Sequence, residues 1–328
     1  MDPRDEKLLT TPIPAFDAPA ALARLRERAA RDRVVTAPRW TDRVARLVTR
    51  PWSRPLAAVL GAVVIVLALS VSGVADTILT VFEPQRIATV QVSPGELSGV
   101  PDPSEYGTLT WIEKPSFHQV ADASAATAES GFTALVPSSL PAGVPSAVRF
   151  AVMPEAKATF RFDEAKAQAA AAKAGRTAPP MPADVASTTL TMTGGPAVVQ
   201  RYGGASASAP DATSLSQSGL ILVQAKAPVV TSNGATVNEL RDYALAQPGV
   251  PPALAAQIRA IGDPVRTLML PIGVDPQEAQ AVTVRGTQGY LVTTGTHAAV
   301  FWLEHGYVCA AAGTLSQSDL LALVNGLR

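Results

Sequence analysis

The residues that most often perform catalysis or bind metals are scarce in this chain of 328 residues. They are His118, His297, His305 and the single cysteine, Cys309. One cysteine cannot form an intrachain disulfide or build a cysteine-based zinc or iron–sulfur site. His297 and His305 fall in predicted hairpin turns, and no Gly-x-Ser-x-Gly elbow accompanies them. We therefore expect no enzymatic activity, no metal site and no cofactor.

Phosphate-binding loops and ligand pockets are the next possibilities. The glycine pairs at 194–195 and 203–204 lack the flanking helix that would bind a phosphate, so they indicate a turn and a linker. Three aromatic residues, Tyr290, Trp302 and Tyr307, fall in the last predicted strands. Two interpretations are open for them: core packing, or one wall of a pocket for an apolar ligand.

The charge balance limits the partners of the chain. It has 27 basic and 27 acidic residues and a formal net charge of zero. Nucleic-acid-binding proteins usually carry a basic excess, so no nucleic-acid partner is expected. Residues 1–54 hold 12 basic and 7 acidic residues, and the remainder of the chain is correspondingly acidic. This division predicts that the two parts meet different environments.

An uncharged run from Leu56 to Ala75 (LAAVLGAVVIVLALSVSGVA) explains much of the apolar composition. A helix of this length would span about 30 Å, the thickness of the hydrocarbon core of a bilayer. A buried core helix and a secretory signal peptide are the alternatives. Core helices seldom lack charge over such a length, and a signal peptide would begin nearer the N-terminus. The run predicts one transmembrane helix within residues 55–75.

The orientation of this helix follows from the basic residues at its ends. Five arginines precede it: Arg39, Arg43, Arg46, Arg50 and Arg54. After it, Asp76 and Glu83 come before the first basic residue, Arg86. The pattern predicts a cytoplasmic N-terminus, and places the C-terminal part outside the cytoplasm in a single-pass membrane protein.

The basic tail, residues 1–54, contains a predicted helix at 20–33. Leu22, Leu25 and Ala29 share one face of that helix at spacings of three and four residues. Two interpretations are open. The helix lies against anionic membrane lipid, or its apolar face docks a cytoplasmic partner.

The remainder divides into an extended linker, residues 76–118, and an α+β domain, residues 119–328. Within the linker, short strand-like runs occur near 87–92 and 109–112. The last seventy residues predict an antiparallel meander, followed by a helix that Ser316 caps. The fold class is therefore one transmembrane helix followed by an antiparallel sheet packed with helices.

Two segments carry a resemblance to a known group of proteins. Residues 131–143 read GFTALVPSSLPAG, and residues 299–307 read AVFWLEHGY before the capped helix. Together with the basic tail and the single apolar span, they resemble bacterial single-pass membrane proteins with an anti-sigma-factor-like or uncharacterised extracytoplasmic domain. The resemblance implies a curved antiparallel sheet similar to those of lipoprotein carriers and envelope-stress sensors. It implies no catalytic residues.

The resemblance and the residues together suggest an extracytoplasmic sensing or binding protein of the cell envelope. Many anti-sigma factors hold zinc in their cytoplasmic part, but residues 1–55 contain no His or Cys. A regulator of this kind would therefore be zinc-free, with a sigma factor or another regulator docked on Leu22, Leu25 and Ala29. The alternatives are a tethered binder or carrier of an apolar ligand such as a lipid, and a structural protein that contacts other envelope proteins.

Overall fold

Fifteen strands and six α-helices make up the part of the chain that the computed structural model describes, residues 79–93, 103–203, 219–272, 279–294 and 297–328. The strands are β1 (Leu79–Phe82), β2 (Arg86–Gln91), β3 (Gly107–Glu113), β4 (His118–Val120), β5 (Val148–Met153), β6 (Ala156–Phe162), β7 (Thr189–Gly194), β8 (Ala197–Tyr202), β9 (Leu220–Lys226), β10 (Val229–Ser232), β11 (Thr267–Ile272), β12 (Ala279–Val284), β13 (Thr287–Thr294), β14 (His297–Glu304) and β15 (Tyr307–Gly313). The helices are α1 (Ala123–Ser130), α2 (Glu164–Lys173), α3 (Ala183–Ser187), α4 (Val237–Leu245), α5 (Pro252–Arg259) and α6 (Gln317–Asn325).

The strands form two antiparallel sheets and one parallel pair. The larger sheet has eight strands in the order β12-β13-β14-β15-β9-β8-β5-β4, and the smaller has five in the order β1-β10-β7-β6-β3. Strands β2 and β11 pair in parallel. The expected α+β class with antiparallel sheets is confirmed.

The predicted C-terminal meander is also confirmed, in strands β12 to β15. Its two-residue turns place Arg285 and His305 at φ of 49° and 50°, each followed by a glycine with positive φ. Two consecutive positive φ values define the turn type whose twist matches that of an antiparallel hairpin. The turns therefore depend on Gly286 and Gly306.

The centre of the eight-stranded sheet is buried on both faces. On β14, Ala299, Phe301 and Leu303 point into the larger core, which also contains residues of α4, α5, β2 and β11. The alternate residues, Val300 and Trp302, point into a second core that α6 covers. Every residue from 298 to 304 is accordingly buried, as expected for a strand covered on both sides.

A segment without regular structure, residues 132–138, lies along the edge of the second core, and we call it the strap. Leu135 packs on the second core, whereas Ala134 and Val136 belong to a smaller apolar cluster with Phe150. Its backbone is bonded by two buried glutamines from the sheet. Gln224 accepts a hydrogen bond from the Leu135 amide (2.9 Å) and donates to the carbonyl of Thr133 (3.3 Å), while Gln200 donates to the carbonyl of Leu135 (2.6 Å). Farther along, the strap pairs with the chain end through Pro137 and Leu327. The strap is part of the segment 131–143, on which the resemblance rested, and its role in this structure is in packing.

Strands β1, β2 and β3 differ from the expectation of an extended linker over residues 76–118. β1 pairs with β10, β2 with β11 and β3 with β6. Leu79 pairs with Ser232 and Arg86 with Thr267, so the partners of β1 and β2 lie more than a hundred residues away in sequence. The partner of β3 is nearer, since Gly107 pairs with Phe162. The local sequence pattern indicates that such a run is extended, but it does not indicate which distant strand it pairs with. For these three strands the linker assignment is therefore corrected.

The tail of residues 1–54 and the span of residues 55–75 lie outside the described residues, as do Leu22, Leu25 and Ala29. Among the helices that are described, none combines the length and apolar character needed to cross a bilayer.

The single cysteine provides a test of the double-sided burial. Cys309 is 1% exposed on β15, and burial raises the pKa of its thiol to about 12; the negative charge of Glu304 adds to the rise and Arg285 opposes it. A raised folded-state pKa stabilises the fold below the pKa of the unfolded thiol, about 8.5, and this contribution is lost as the pH rises toward 12.

We expect a thiol reagent at pH 8 to label the native chain at least about 100-fold more slowly than the chain in concentrated urea, because burial and the lack of thiolate both protect the sulfur. Cys309→Ala provides the blank, since the chain has no other cysteine. Fast labelling of the native protein would contradict the burial of β15.

Candidate interaction surface

Strand β3 exposes apolar side chains at one edge of the five-stranded sheet. Leu109 is 41% exposed, Trp111 42% and Ile112 58%, and these are the large apolar side chains left exposed among the described residues. They lie in a continuous exposed stretch, since every residue from 108 to 116 is exposed. An edge strand of this kind presents unpaired backbone groups and is a template for another strand.

The hydrogen-bond pattern shows which backbone groups of β3 face outward. The Asp163 amide donates to the carbonyl of Tyr106 (3.0 Å), so this pair is a hydrogen-bonded pair of the ladder. Because such pairs alternate along an antiparallel ladder, Thr108 and Thr110 direct their backbone groups to β6. Leu109 and Trp111 therefore direct theirs to the open edge.

The side-chain faces follow from the register. Leu109 lies opposite Phe160, and Trp111 lies opposite Ala158. Phe160 and Ala158 belong to the larger core. Leu109 and Trp111 thus continue the apolar inner face of the five-stranded sheet past its covered part.

Tyr106 and Gly107 hold the beginning of β3 in place. The hydroxyl of Tyr106 donates to the buried carbonyl of Pro248 (3.0 Å), and burial raises the pKa of this phenol, with a smaller contribution from Glu105. Gly107 has no room for a side chain, because a Cβ would lie 2.3 Å from the carbonyl oxygen of Arg161 and 2.3 Å from the ring of Phe160.

Charged groups flank the apolar stretch at both ends. At the first end, Lys166 of α2 donates to the carbonyl of Gly107 (2.7 Å) and to the Thr108 hydroxyl (3.1 Å), and Lys173 forms an ion pair with Glu105 (3.4 Å). At the other end, Glu113 and Lys114 are exposed. A bulge at Ile112 separates Glu113 from the regular ladder.

The three aromatic residues of the predicted pocket wall do not share one face. Tyr290 lies opposite Phe301 and packs on the larger core, whereas Trp302 and Tyr307 belong to the second core. The prediction that these three residues form one wall of a pocket is therefore wrong. Alternate residues of a strand point to opposite faces of the sheet, and Tyr290 lies on the face away from Trp302. The cavity beside Trp302 measures about 10 Å³, which is room for about one water molecule.

Of the histidines, His305 occupies a hairpin turn as expected, whereas His297 begins β14. His118 meets Glu129 at 2.5 Å, with both side chains about half exposed. No group of three His, Cys, Asp or Glu residues in the described part of the chain has the arrangement of a metal site.

A more buried ionic cluster surrounds Glu304. Its carboxylate accepts hydrogen bonds from Arg285 (2.8 Å) and from the indole of Trp302 (3.2 Å). Arg285 also donates to the carbonyl of Leu327, and its amide donates to Asn325. These contacts join two hairpins to the end of α6, so the cluster has a structural role.

Sequence patterning recognised residues 109–112 as extended but not as a binding surface. The signal is the alternation of Leu109 and Trp111, which would equally suit a buried strand. No protein-family model, curated protein or solved structure matches this chain.

The position of β3 can be tested at its tightest contact. We expect Gly107→Ala to lower the free energy of unfolding by about 1–3 kcal/mol, since the backbone at Arg161 cannot yield to the added methyl group. Gly262→Ala is the matched control: nothing lies within 4 Å of its Cβ position, and a change below about 0.5 kcal/mol is expected. Urea unfolding of both variants measures the difference, and equal effects would contradict the assigned packing.

Proposed function

We propose that this chain is a single-pass membrane protein that acts outside the cytoplasm as a binding and sensing protein of the cell envelope. The uncharged run from Leu56 to Ala75 and the arginines before it support the anchor and its orientation. The α+β part then lies on the far side of the membrane.

The observation that carries the binding role is the open edge of β3. Leu109 and Trp111 combine exposed apolar side chains with backbone groups directed outward. Strand addition uses both features, because the backbone supplies affinity and the side chains supply selectivity. The surface therefore suits a partner that presents an extended segment.

The basic tail completes the proposal as a route to the cytoplasm. Its helix would dock a sigma factor or another regulator through Leu22, Leu25 and Ala29, without zinc. Partner binding on the outer domain would then be reported across the membrane, as in an anti-sigma-like regulator.

The topology is tested with variants that each add one exposed cysteine, labelled by a membrane-impermeant maleimide. We expect Ser116→Cys, at an exposed position, to label in right-side-out vesicles, and Thr10→Cys to label only in inside-out vesicles, because a charged reagent does not cross the bilayer core. The wild-type chain is the blank, since its one cysteine is buried. The opposite labelling pattern would refute the orientation.

The tail is tested by crosslinking the full-length protein in its native membrane, followed by affinity capture and mass spectrometry. We expect the variant Leu22→Glu/Leu25→Glu to recover at least about tenfold less sigma factor than the wild type, since charges on the docking face prevent its burial. Leu8→Glu/Leu9→Glu is the matched control within the tail. Equal recovery from all three proteins, or no sigma factor from the wild type, would refute the regulatory role.

A further inference from the structure

We propose that the occupant of the open edge is a second copy of this chain, with β3 pairing antiparallel to β3 about a twofold axis at Thr110. A second copy would then be the partner for the exposed stretch of β3. The pairing rests on the proposed function only for the confinement of both copies to one membrane.

The backbone pattern of β3 suits this register. With Thr110 on the axis, Leu109 of each copy lies opposite Trp111 of the other. Both residues direct their N–H and C=O groups outward, so the two pairs can form four backbone hydrogen bonds. Thr110, whose backbone groups bond to β6, occupies the non-hydrogen-bonded position between them.

The side chains suit the same register. Leu109 and Trp111 lie on one face of the strand, together with Phe160 and Ala158. Pairing would place the leucine of one copy beside the tryptophan of the other on that face, an aromatic–aliphatic cross-strand contact of the favourable kind. Two five-stranded sheets would become one continuous sheet.

The flanking charges are self-complementary. Beyond the regular pairing, the chain after the bulge would bring Glu113 of one copy near Gly107 of the other, whose carbonyl accepts a hydrogen bond from Lys166. Lys114 would come near Tyr106 and Glu105 of the other copy. Each end of the paired strands thus brings a carboxylate to an ammonium group, and the twofold axis repeats the arrangement at the other end.

The expected dimer is weak in solution. The bulge at Ile112 and the side chain of Lys166 confine the regular pairing to Leu109–Trp111. Such a contact buries less than the roughly 1,200–2,000 Å² of a stable complex. Two copies anchored in one membrane have a higher effective concentration, which favours a short interface of this kind.

The experiment is disulfide crosslinking of full-length Thr110→Cys in native membranes with a mild oxidant. A non-hydrogen-bonded pair places its Cα atoms about 4.5 Å apart, within the range for a disulfide. Thr108→Cys is the matched control, an exposed position on the same face. In this register its two copies are offset by four residues, about 13 Å along the strands, so we expect at least a tenfold lower yield of disulfide dimer.

Two further variants in the Thr110→Cys background test the contacts. Trp111→Lys is expected to reduce the dimer yield about tenfold, because it removes the apolar pair. Glu113→Lys alone is expected to reduce it about threefold, in the range of an exposed ion pair, and addition of Lys166→Glu is expected to restore it. Limited proteolysis of each variant shows that the fold is retained.

Dimer yields from Thr110→Cys no higher than those from Thr108→Cys would overturn the proposal. So would a disulfide between Thr110→Cys and a cysteine of another protein. If the vesicle labelling still gives the expected topology, the proposed function survives that failure. If instead the topology is reversed while Thr110→Cys crosslinks, the dimer stands and the proposed function fails.

Discussion

Burial of β14 and β15 on both faces is the constraint on which the other parts of this structure depend. Neither face of these strands is open to solvent, so each must be covered by a separate layer. Helices α4 and α5 with the parallel pair β2 and β11 lie on one side, and α6 with the strap lies on the other. Removal of the first layer would expose Phe301 to solvent, and removal of the second would expose Trp302.

Covering a sheet with a strap raises a second requirement. Backbone groups that leave water need hydrogen-bond partners, and an irregular segment cannot supply them to itself. Gln200 and Gln224, 2% and 8% exposed, fulfil this requirement by bonding the strap at Thr133 and Leu135. The amide side chains thus supply to the strap the hydrogen bonds that a neighbouring strand would otherwise supply.

The need of backbone groups for hydrogen-bond partners also makes β3 a candidate binding surface. Where the sheet centre satisfies its backbone internally, β3 leaves the outward groups of Leu109 and Trp111 at an edge, beside apolar side chains. A bulge and Lys166 shorten this edge from both ends, a common protection against indiscriminate strand pairing. The stretch that stays open is short, so the association it allows would be weak and reversible rather than permanent.

Much of the fold could be predicted from the sequence because its signals are local. The alternation in β12 to β15, the turn residues Arg285-Gly286 and His305-Gly306 and the cap at Ser316 all act within a few residues. The apolar run of residues 56–75 is a local signal in the same sense, and its prediction of a membrane anchor stays a prediction. The scarcity of histidine and cysteine, which limits metal binding and nucleophilic catalysis, can likewise be read directly from the sequence.

Tertiary structure alone decided which elements meet. The partners of β1 and β2 lie more than a hundred residues away. Sheet register places Tyr290 on one face of the sheet and Trp302 on the other. The exposure of Leu109 and Trp111 has the same origin. A two-residue alternation determines which side chains share a face, but only the assembled layers determine whether that face is covered.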